Sequence, residues 1–371
     1  MAFVSTNSIC QGAQVPVLWD VLLNNYNIHI NFAHQTFKWN SESTDKAAVH
    51  CVIVGFSNFN RTTKQLFSGE NRKIVSNISP YLVEGSDSFV VAHKNALCDV
   101  PKMNFGNQPR DGGFFVISET ERAELLNKEP ELSKWLHLYV GADEFIKGKK
   151  RWCLWLKRAT PTDIKHSKVL YEKVASVREF RLSSKAKTTN GYAKVPHLFA
   201  QITQPDDVDF LIVPSVSSER RRYVPIGFVK SDVIASNAVQ ILPNATLYHF
   251  GVLTSNVHMA WMRTVCGRLK SDYRYSKELV YNPFPWPTPT EAQTAKIEQT
   301  AQAILDARTL YPDCSLADLY DEAVMPPELR KAHQANDRAV MQAYGFDIKT
   351  TTEASCVAEL MKMYQKLTEG V

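Results

Sequence analysis

The sequence has no glycine-rich phosphate loop. Neither G-x-G-x-x-G nor G-x-x-x-x-G-K-[ST] occurs in its 371 residues. It therefore carries no nucleotide site of the kind that backbone N–H groups build around a phosphate. H-E-x-x-H and similar His/Asp/Glu sets are missing, which argues against a resident metal. The ten histidines are scattered, and lone examples such as His34 and His258 read as structural residues. Without a Gly-x-Ser-x-Gly elbow there is no nucleophile of the hydrolase type. No constellation for hydrolysis, redox chemistry or phosphoryl transfer emerges. No apolar run reaches the roughly 18 residues a membrane helix needs. The start, Met1-Ala-Phe-Val-Ser-Thr, lacks the basic and apolar regions of a secretory signal. The seven cysteines are odd in number, widely spaced and never arranged as C-x-x-C. They read as small apolar fillers in a reducing cytoplasm rather than as a disulfide framework. Internal repeats and low-complexity tracts are absent too.

What is present is ordinary globular material, 44% hydrophobic and 22% charged, long enough for two or three domains. Its charge is uneven. From Phe145 to Ala235, 18 Lys and Arg stand against 8 Asp and Glu, a local balance of +10; from Thr288 onward 8 stand against 13, a balance of −5. The basic middle is the candidate polyanion surface, and lysines that merely solvate a loop-rich domain are the plainer alternative.

Three regions separate by pattern, at 1–77, 78–287 and 288–371. The first reads as an α/β fragment. Ala2-Phe-Val-Ser-Thr is a strand, a helix follows with Val17, Leu18, Val21 and Leu22 on one face, and Ile28-His-Ile-Asn-Phe-Ala is a second strand. A polar loop around Asn40 to Asp45 leads to Val49-His-Cys-Val-Ile-Val-Gly-Phe, a buried strand. Three strands and one helix leave apolar faces uncovered, and the glycine turn that opens a doubly wound sheet is missing. The expectation is that the other half of this sheet lies on another segment or chain. The second region reads as a mixed α+β domain. Its strand-like runs start at Phe89, Gly113, Arg151, Asp209, Tyr223 and Ala238, and helices are predicted over 119–127, 165–183 and 255–269. In the third region Pro283, Pro285, Pro287 and Pro289 predict a stiff linker, after which helical periodicity takes over.

Ser217-Ser-Glu-Arg-Arg-Arg-Tyr-Val-Pro is the most informative stretch. On a strand, Arg220 and Arg222 would share one face and Arg221 the other. The arginine fork donates two parallel hydrogen bonds, which suits a phosphate or a guanine edge. Glu219 could accept from a cytosine amine or hold an arginine in place, and a solvated turn with a salt bridge is the structural alternative. Further basic stretches lie at 178–191, which offers lysines with Ser, Thr and Asn, at 147–155 and at 263–274. Together they favour nucleic acid over a small acidic metabolite. Trp152, Trp155 and Trp261 could stack a base, but their apolar settings fit core packing better.

Phe3-Val-Ser-Thr-Asn-Ser-Ile-Cys-Gln-Gly, Phe32-Ala-His-Gln-Thr-Phe-Lys-Trp and Ala47-Ala-Val-His-Cys-Val-Ile-Val-Gly resemble the late methyltransferase segment of MmeI-like restriction–modification enzymes (type IIG). Arg110-Asp-Gly-Gly, the Ser217–Pro225 stretch, His258-Met-Ala-Trp and Gly267-Arg-Leu-Lys-Ser-Asp-Tyr-Arg-Tyr-Ser look like the family's target-recognition domain. Tyr281-Asn-Pro-Phe-Pro-Trp-Pro marks that domain's end. Leu319-Tyr-Asp-Glu-Ala-Val-Met-Pro-Pro-Glu-Leu and Ala343-Tyr-Gly-Phe look like its C-terminal helical segment. The resemblance implies the end of a class I methyltransferase Rossmann-like sheet, then a mixed α+β recognition domain and a small helical region. It implies S-adenosylmethionine as cofactor of the intact enzyme but none bound by this chain alone. The family's Asn-Pro-Pro-[Tyr/Phe] motif is absent, and Asn282-Pro283-Phe284 sits in the wrong context, so no catalytic residue is assigned. The implied partners are double-stranded DNA and an N-terminal methyltransferase half. The implied chemistry of the whole enzyme is base flipping and transfer to the adenine exocyclic nitrogen. The residues that follow for DNA contact are Lys185, Lys187, Thr188, Glu219, Arg220, Arg221, Arg222 and Lys230. Ser5, Thr6, Asn7, Phe37 and Trp39 follow as adenine-pocket candidates. Two alternatives stay open: a specificity or protein-interaction subunit without methyltransferase activity, and a standalone methyltransferase with a divergent donor site.

Overall fold

The computed structural model describes residues 1–39 and 49–369, so the polar loop expected at 40–45 lies outside the described residues. The first region builds a five-stranded sheet. Its strands are β1 (Ala2–Thr6), β2 (His29–Trp39), β3 (Val49–Ser57), β4 (Lys64–Ser68) and β5 (Asn71–Val75), in the order β1-β3-β2-β4-β5. β3 runs antiparallel to both β1 and β2, so β1 and β2 are parallel with an inverted strand between them. The hairpin β4–β5, which alternation in the sequence did not reveal, extends the sheet through a parallel pairing of β4 with β2.

β2 carries two register shifts, between Ile30 and Phe32 and between His34 and Phe37. Such bulges break strict alternation, which is why Asn31 is buried beside Ile30 and Ala33. Phe32 lies over its cross-strand partner Gly55, where a Cβ would fall 1.9 Å from the ring. Only glycine fits under that ring.

The helix Gln14–Asp20 corrects the expected apolar face. Val15 and Trp19, one turn apart, are buried, and Trp19 Nε1 donates to the Ile9 carbonyl at 2.7 Å. Val17 is 76% exposed. The indole is the largest apolar side chain on the helix and its N–H finds a partner inside, so the helix is turned to seat Trp19 with Val15.

The core does not divide where the sequence pattern does. One continuous core runs from Cys10, Val15 and Trp19 through the helices Leu247–Leu253 and Asn256–Val265 into the C-terminal helices Glu291–Thr309, Pro327–Ala343 and Glu353–Thr368. The stiff proline linker expected at 283–289 is therefore corrected. Residues 281–287 are all buried, and Phe284 packs between His258, Trp261, Trp286 and Tyr344. Phe89-Val-Val-Ala is not a strand either. Tyrosine hydroxyls from elsewhere satisfy its backbone: Val90 N–H donates to Tyr81 and Val91 N–H to Tyr364. The helix expected over 255–269 ends at Val265, where the chain turns into a hairpin of Gly267–Leu269 and Asp272–Arg274, with Lys270 in the left-handed region at φ +59°.

A lobe with its own smaller core is inserted into this body. Phe115, Ile117, Leu136, Tyr139, Cys153, Leu154, Leu170, Val177 and Phe199 form that core. They are carried by a four-stranded sheet, in which Leu136–Val140 pairs with Trp152–Leu154, and by the helix Lys168–Ser183. The predicted helix 165–183 is split. Ser167 caps the second piece through its hydroxyl, which accepts from the Leu170 N–H at 3.0 Å. A second four-stranded sheet, built on Phe210–Pro214 and Val239–Pro243, joins lobe to body.

Candidate functional site

The Ser217–Tyr223 segment leaves its strand after Ser217. The Arg220 N–H donates to Ser218 Oγ at 3.3 Å and the Arg221 N–H to the Ser218 carbonyl at 3.2 Å. A serine turn of this kind replaces the ladder, so the expected strand alternation of the arginines is corrected. Arg220, Arg221 and Arg222 all line one cleft of about 520 Å³, together with Glu219, Asn256, Arg263, Glu322 and Glu353. Among the described residues none of the three arginines is in an ion pair, while Glu219 lies 3.8 Å from Arg268. A turn that carries an ion pair is the structural alternative named for this segment.

The cleft's far wall comes from the C-terminal helices, and it is built by a buried polar network. Tyr223 donates to Asp337 Oδ2 at 2.6 Å and stacks on His333 with ring centroids 4.1 Å apart. Asp337 Oδ1 accepts from the Asn256 N–H at 2.7 Å. Burial pushes the Asp337 carboxyl up to about 6, against the opposing pull of these hydrogen bonds and of Arg222 and Arg263. Arg263 grips Glu353 with both arms of its fork, at 2.8 and 3.0 Å, and donates to the Arg222 carbonyl at 3.1 Å. Glu322 pairs with Arg330. The acidic tail thus supplies carboxylates to the wall of the basic cleft. The charge complementarity of the two regions was visible in the sequence, but their contact was not.

The other DNA-contact candidates stand elsewhere. Lys187 and Thr188 are exposed on a short helical turn of the inserted lobe and Lys185 on the bend before it, and Thr188 Oγ1 accepts from Arg110 Nη1 at 3.4 Å. No hydrogen bond or ion pair among the described residues links this turn to the arginine cleft. Lys230 is paired with Asp209 at 2.8 Å, which holds its ammonium above the usual lysine range. The 147–155 stretch is partly offset, Lys147 and Lys149 sharing Asp143 and Arg151 pairing with Glu144.

Among the adenine-pocket candidates, Thr6 and Phe37 both pair with Cys51, one from each neighbouring strand, so their side chains share a sheet face. Trp39 joins them with its ring 6.3 Å from Phe37. Ser5 pairs with Val52 on the opposite face. Asn7 follows in a 3-10 turn, its carboxamide accepting from Gln11 at 3.1 Å.

The family description "MmeI, target recognition domain" matches residues 84–288, more than half of the chain. The chain belongs to the MmeI family. The description "MmeI, DNA-methyltransferase domain" matches residues 1–68 and "MmeI, C-terminal domain" residues 289–371. A curated relative, "DNA methyltransferase A" of Bacillus subtilis (strain 168), is 40% identical over 370 residues, covering 100% of this chain and 42% of the relative. A solved structure, "Structure of Type IIL restriction-modification enzyme MmeI in complex with DNA has implications for engineering of new specificities", superposes with a TM-score of 0.92 at 46% identity. It covers 99% of this chain and 49% of that one. The chain thus spans less than half the length of both relatives.

Within this MmeI-family chain the tryptophans considered for base stacking pack internally. Trp261 is buried and donates to the Val280 carbonyl at 3.0 Å, Trp155 packs edge-on against Phe199, and Arg122 covers Trp152 at 4.0 Å. His258 is buried against the Tyr275 hydroxyl at 3.0 Å, with its protonation pushed down to about 3 by burial. His34 stacks on Phe67. Among the described residues no helix is long and apolar enough to cross a membrane.

Proposed function

We propose that this chain is the sequence-reading part of an adenine-specific DNA methyltransferase of a restriction–modification system, acting in the cytoplasm on double-stranded DNA. The observation that carries the reading is the convergence of Arg220, Arg221 and Arg222 on one open cleft without acidic partners of their own among the described residues. Arginines left unpaired at a surface suit phosphate and base-edge recognition. Likeness to a MmeI–DNA complex over nearly the whole chain supports it.

Under this reading β1, β3 and β2 are the end of a class I methyltransferase sheet, and an N-terminal methyltransferase half covers them. The parallel pair β1/β2 with an inverted strand between fits such a sheet, and β1 has no partner on its outer edge among the described residues. Phe3 and Val4 on that strand are exposed, one on each face of the sheet, and Val17 on the following helix is exposed as well, so apolar side chains are left uncovered on both sides of β1.

The methyl donor of the intact enzyme is S-adenosylmethionine in this reading. The residues present do not make its site alone. The exposed side chains Phe3 and Val4 of β1 are apolar, while the polar groups at its end are engaged locally, Thr6 with Ser8 and Asn7 with Gln11. No methyl-transfer step is therefore derived for this chain.

The test is duplex binding by the full chain across a salt series. Affinity should fall linearly with salt on logarithmic axes, with Arg220→Ala and Arg222→Ala each removing about one from the slope. A slope near zero for the wild type refutes the reading. Intact DNA binding in both variants, with loss of a protein partner, would instead favour a protein-interaction subunit.

A further inference from the structure

Arg181 lies in a basic stretch of the inserted lobe, yet it faces no solvent. It is fully buried, and its guanidinium ends on five backbone carbonyls. Nε donates to Arg110 at 3.0 Å. Nη1 donates to Tyr192 and Val195 at 3.0 and 3.1 Å. Nη2 donates to Pro109 and Leu198 at 2.9 and 2.7 Å. All five N–H groups of an arginine are thereby used, and none goes to a carboxylate. The carbonyls come from two segments, 109–110 and 192–198, that share no strand or helix. Next to them Gln108 and Gln201 form an isolated antiparallel bridge and the Ala200 N–H donates to the Pro109 carbonyl at 3.2 Å, and Arg181 extends this short backbone link from the side.

What it joins is a turn under strain. Arg110 sits at φ +45°, a conformation that side chains with a Cβ rarely adopt, followed by Gly112 at φ +69° and Gly113 at φ +90°. A Cβ on Gly112 would fall 2.9 Å from the Phe180 ring. Asp111 ties the turn from inside, accepting from the Gly113 and Phe115 N–H groups at 3.2 and 2.6 Å. Backbone held in a sparsely populated region persists only where surrounding contacts over-determine it, and such places cluster at binding sites.

The strained geometry aims Arg110 at the neighbouring turn. Its Nε donates to Gln108 at 3.1 Å, its Nη1 reaches the Thr188 and Thr189 hydroxyls at 3.4 and 3.5 Å, and its Nη2 has no partner among the described residues. Lys185 and Lys187, which precede Thr188 in the chain, are exposed and, unlike the lysines at 147 and 149, form no ion pair among the described residues. One guanidinium, two ammonium groups and two hydroxyls without an acid is the donor chemistry of a phosphodiester contact.

We propose that Arg110, Lys185, Lys187 and Thr188 form a phosphodiester-contacting site on the inserted lobe, and that Arg181 is the positioning residue that holds its two halves together. The proposal rests on the DNA-reading function given above and adds a second contact region, separate from the arginine cleft. It also assigns Arg110 and Arg181 roles that their sequence context did not suggest.

The test uses the full chain and a mixed-sequence DNA duplex, with anisotropy measured across a salt series. Arg110→Ala should weaken binding about threefold to tenfold near 0.1 M salt and lower the logarithmic slope by about one, whatever the duplex sequence. Arg181→Lys keeps the charge but offers three donors in place of five. It should show the same loss, and the double variant should be no weaker than the worse single one, because one removes the contact and the other its support. A wild-type slope near zero sinks the DNA reading and this proposal with it. A salt-dependent wild type with an unchanged Arg110→Ala variant sinks this proposal alone. So does an affinity loss that leaves the slope intact, which would mark a base-edge contact. If Arg181→Lys lowers Tm but binds with the wild-type slope below its Tm, the residue has only a structural role. Arg110 is half exposed and its side chain fills no core, so that variant decides the site even if Arg181→Lys fails to fold.

Discussion

Replacing Asp337 by Asn should stabilise the protein increasingly as pH rises. Asp337 is buried on the Pro327–Ala343 helix, and burial moves its carboxyl from 3.8 up to about 6. The folded state therefore binds this proton more tightly than the unfolded chain does. The group's contribution to stability is complete below pH 3.8 and declines as pH rises through 6. Each tenfold change in proton affinity is worth about 1.4 kcal/mol, so the decline amounts to about 3 kcal/mol between pH 3.8 and 7. An asparagine at 337 can still accept from the Asn256 N–H, and the Tyr223 hydroxyl can turn to accept from its amide. The variant thus keeps both contacts and loses the titration. Urea unfolding of both proteins from pH 4 to 8 gives the difference directly. The variant should gain about 3 kcal/mol on the wild type across that range, with the change centred between 4 and 6. A difference flat with pH would show that Asp337 titrates normally and that the network behind the Arg222 cleft wall is not sealed from water.

Phe284→Ala should cost about 3–5 kcal/mol, because the ring is fully enclosed and little around it can relax into the space. The loss should appear in one transition shared by helices before and after residue 288, read by chemical denaturation; two separated transitions would show that the C-terminal helices form an independent unit. Calorimetric titration of the chain with S-adenosylmethionine should show no binding, and micromolar affinity would overturn the placement of the donor site outside this chain.

The sequence alone determined much of the local structure. Runs of β-branched and aromatic residues fixed β1, β3 and the Phe210–Pro214 and Val239–Pro243 strands, and serine and threonine caps set the starts of the helices Lys168–Ser183, Glu291–Thr309 and Glu353–Thr368. Family membership was readable too, because short motifs spread over the whole chain survive as strings. The tertiary structure decided what those strings touch. Prolines 283–289 look like a spacer in one dimension, yet Phe284 and Trp286 between them are core residues, since burial is set by what arrives from the helices on either side. The positive charges look alike in sequence, but Arg181 is buried on carbonyls, Lys230 and the lysines at 147 and 149 face carboxylates, and only part of the set stays free. A charge is neutralised by neighbours in space, and residues such as Arg263 and Glu353, ninety positions apart, become neighbours only when the helices pack.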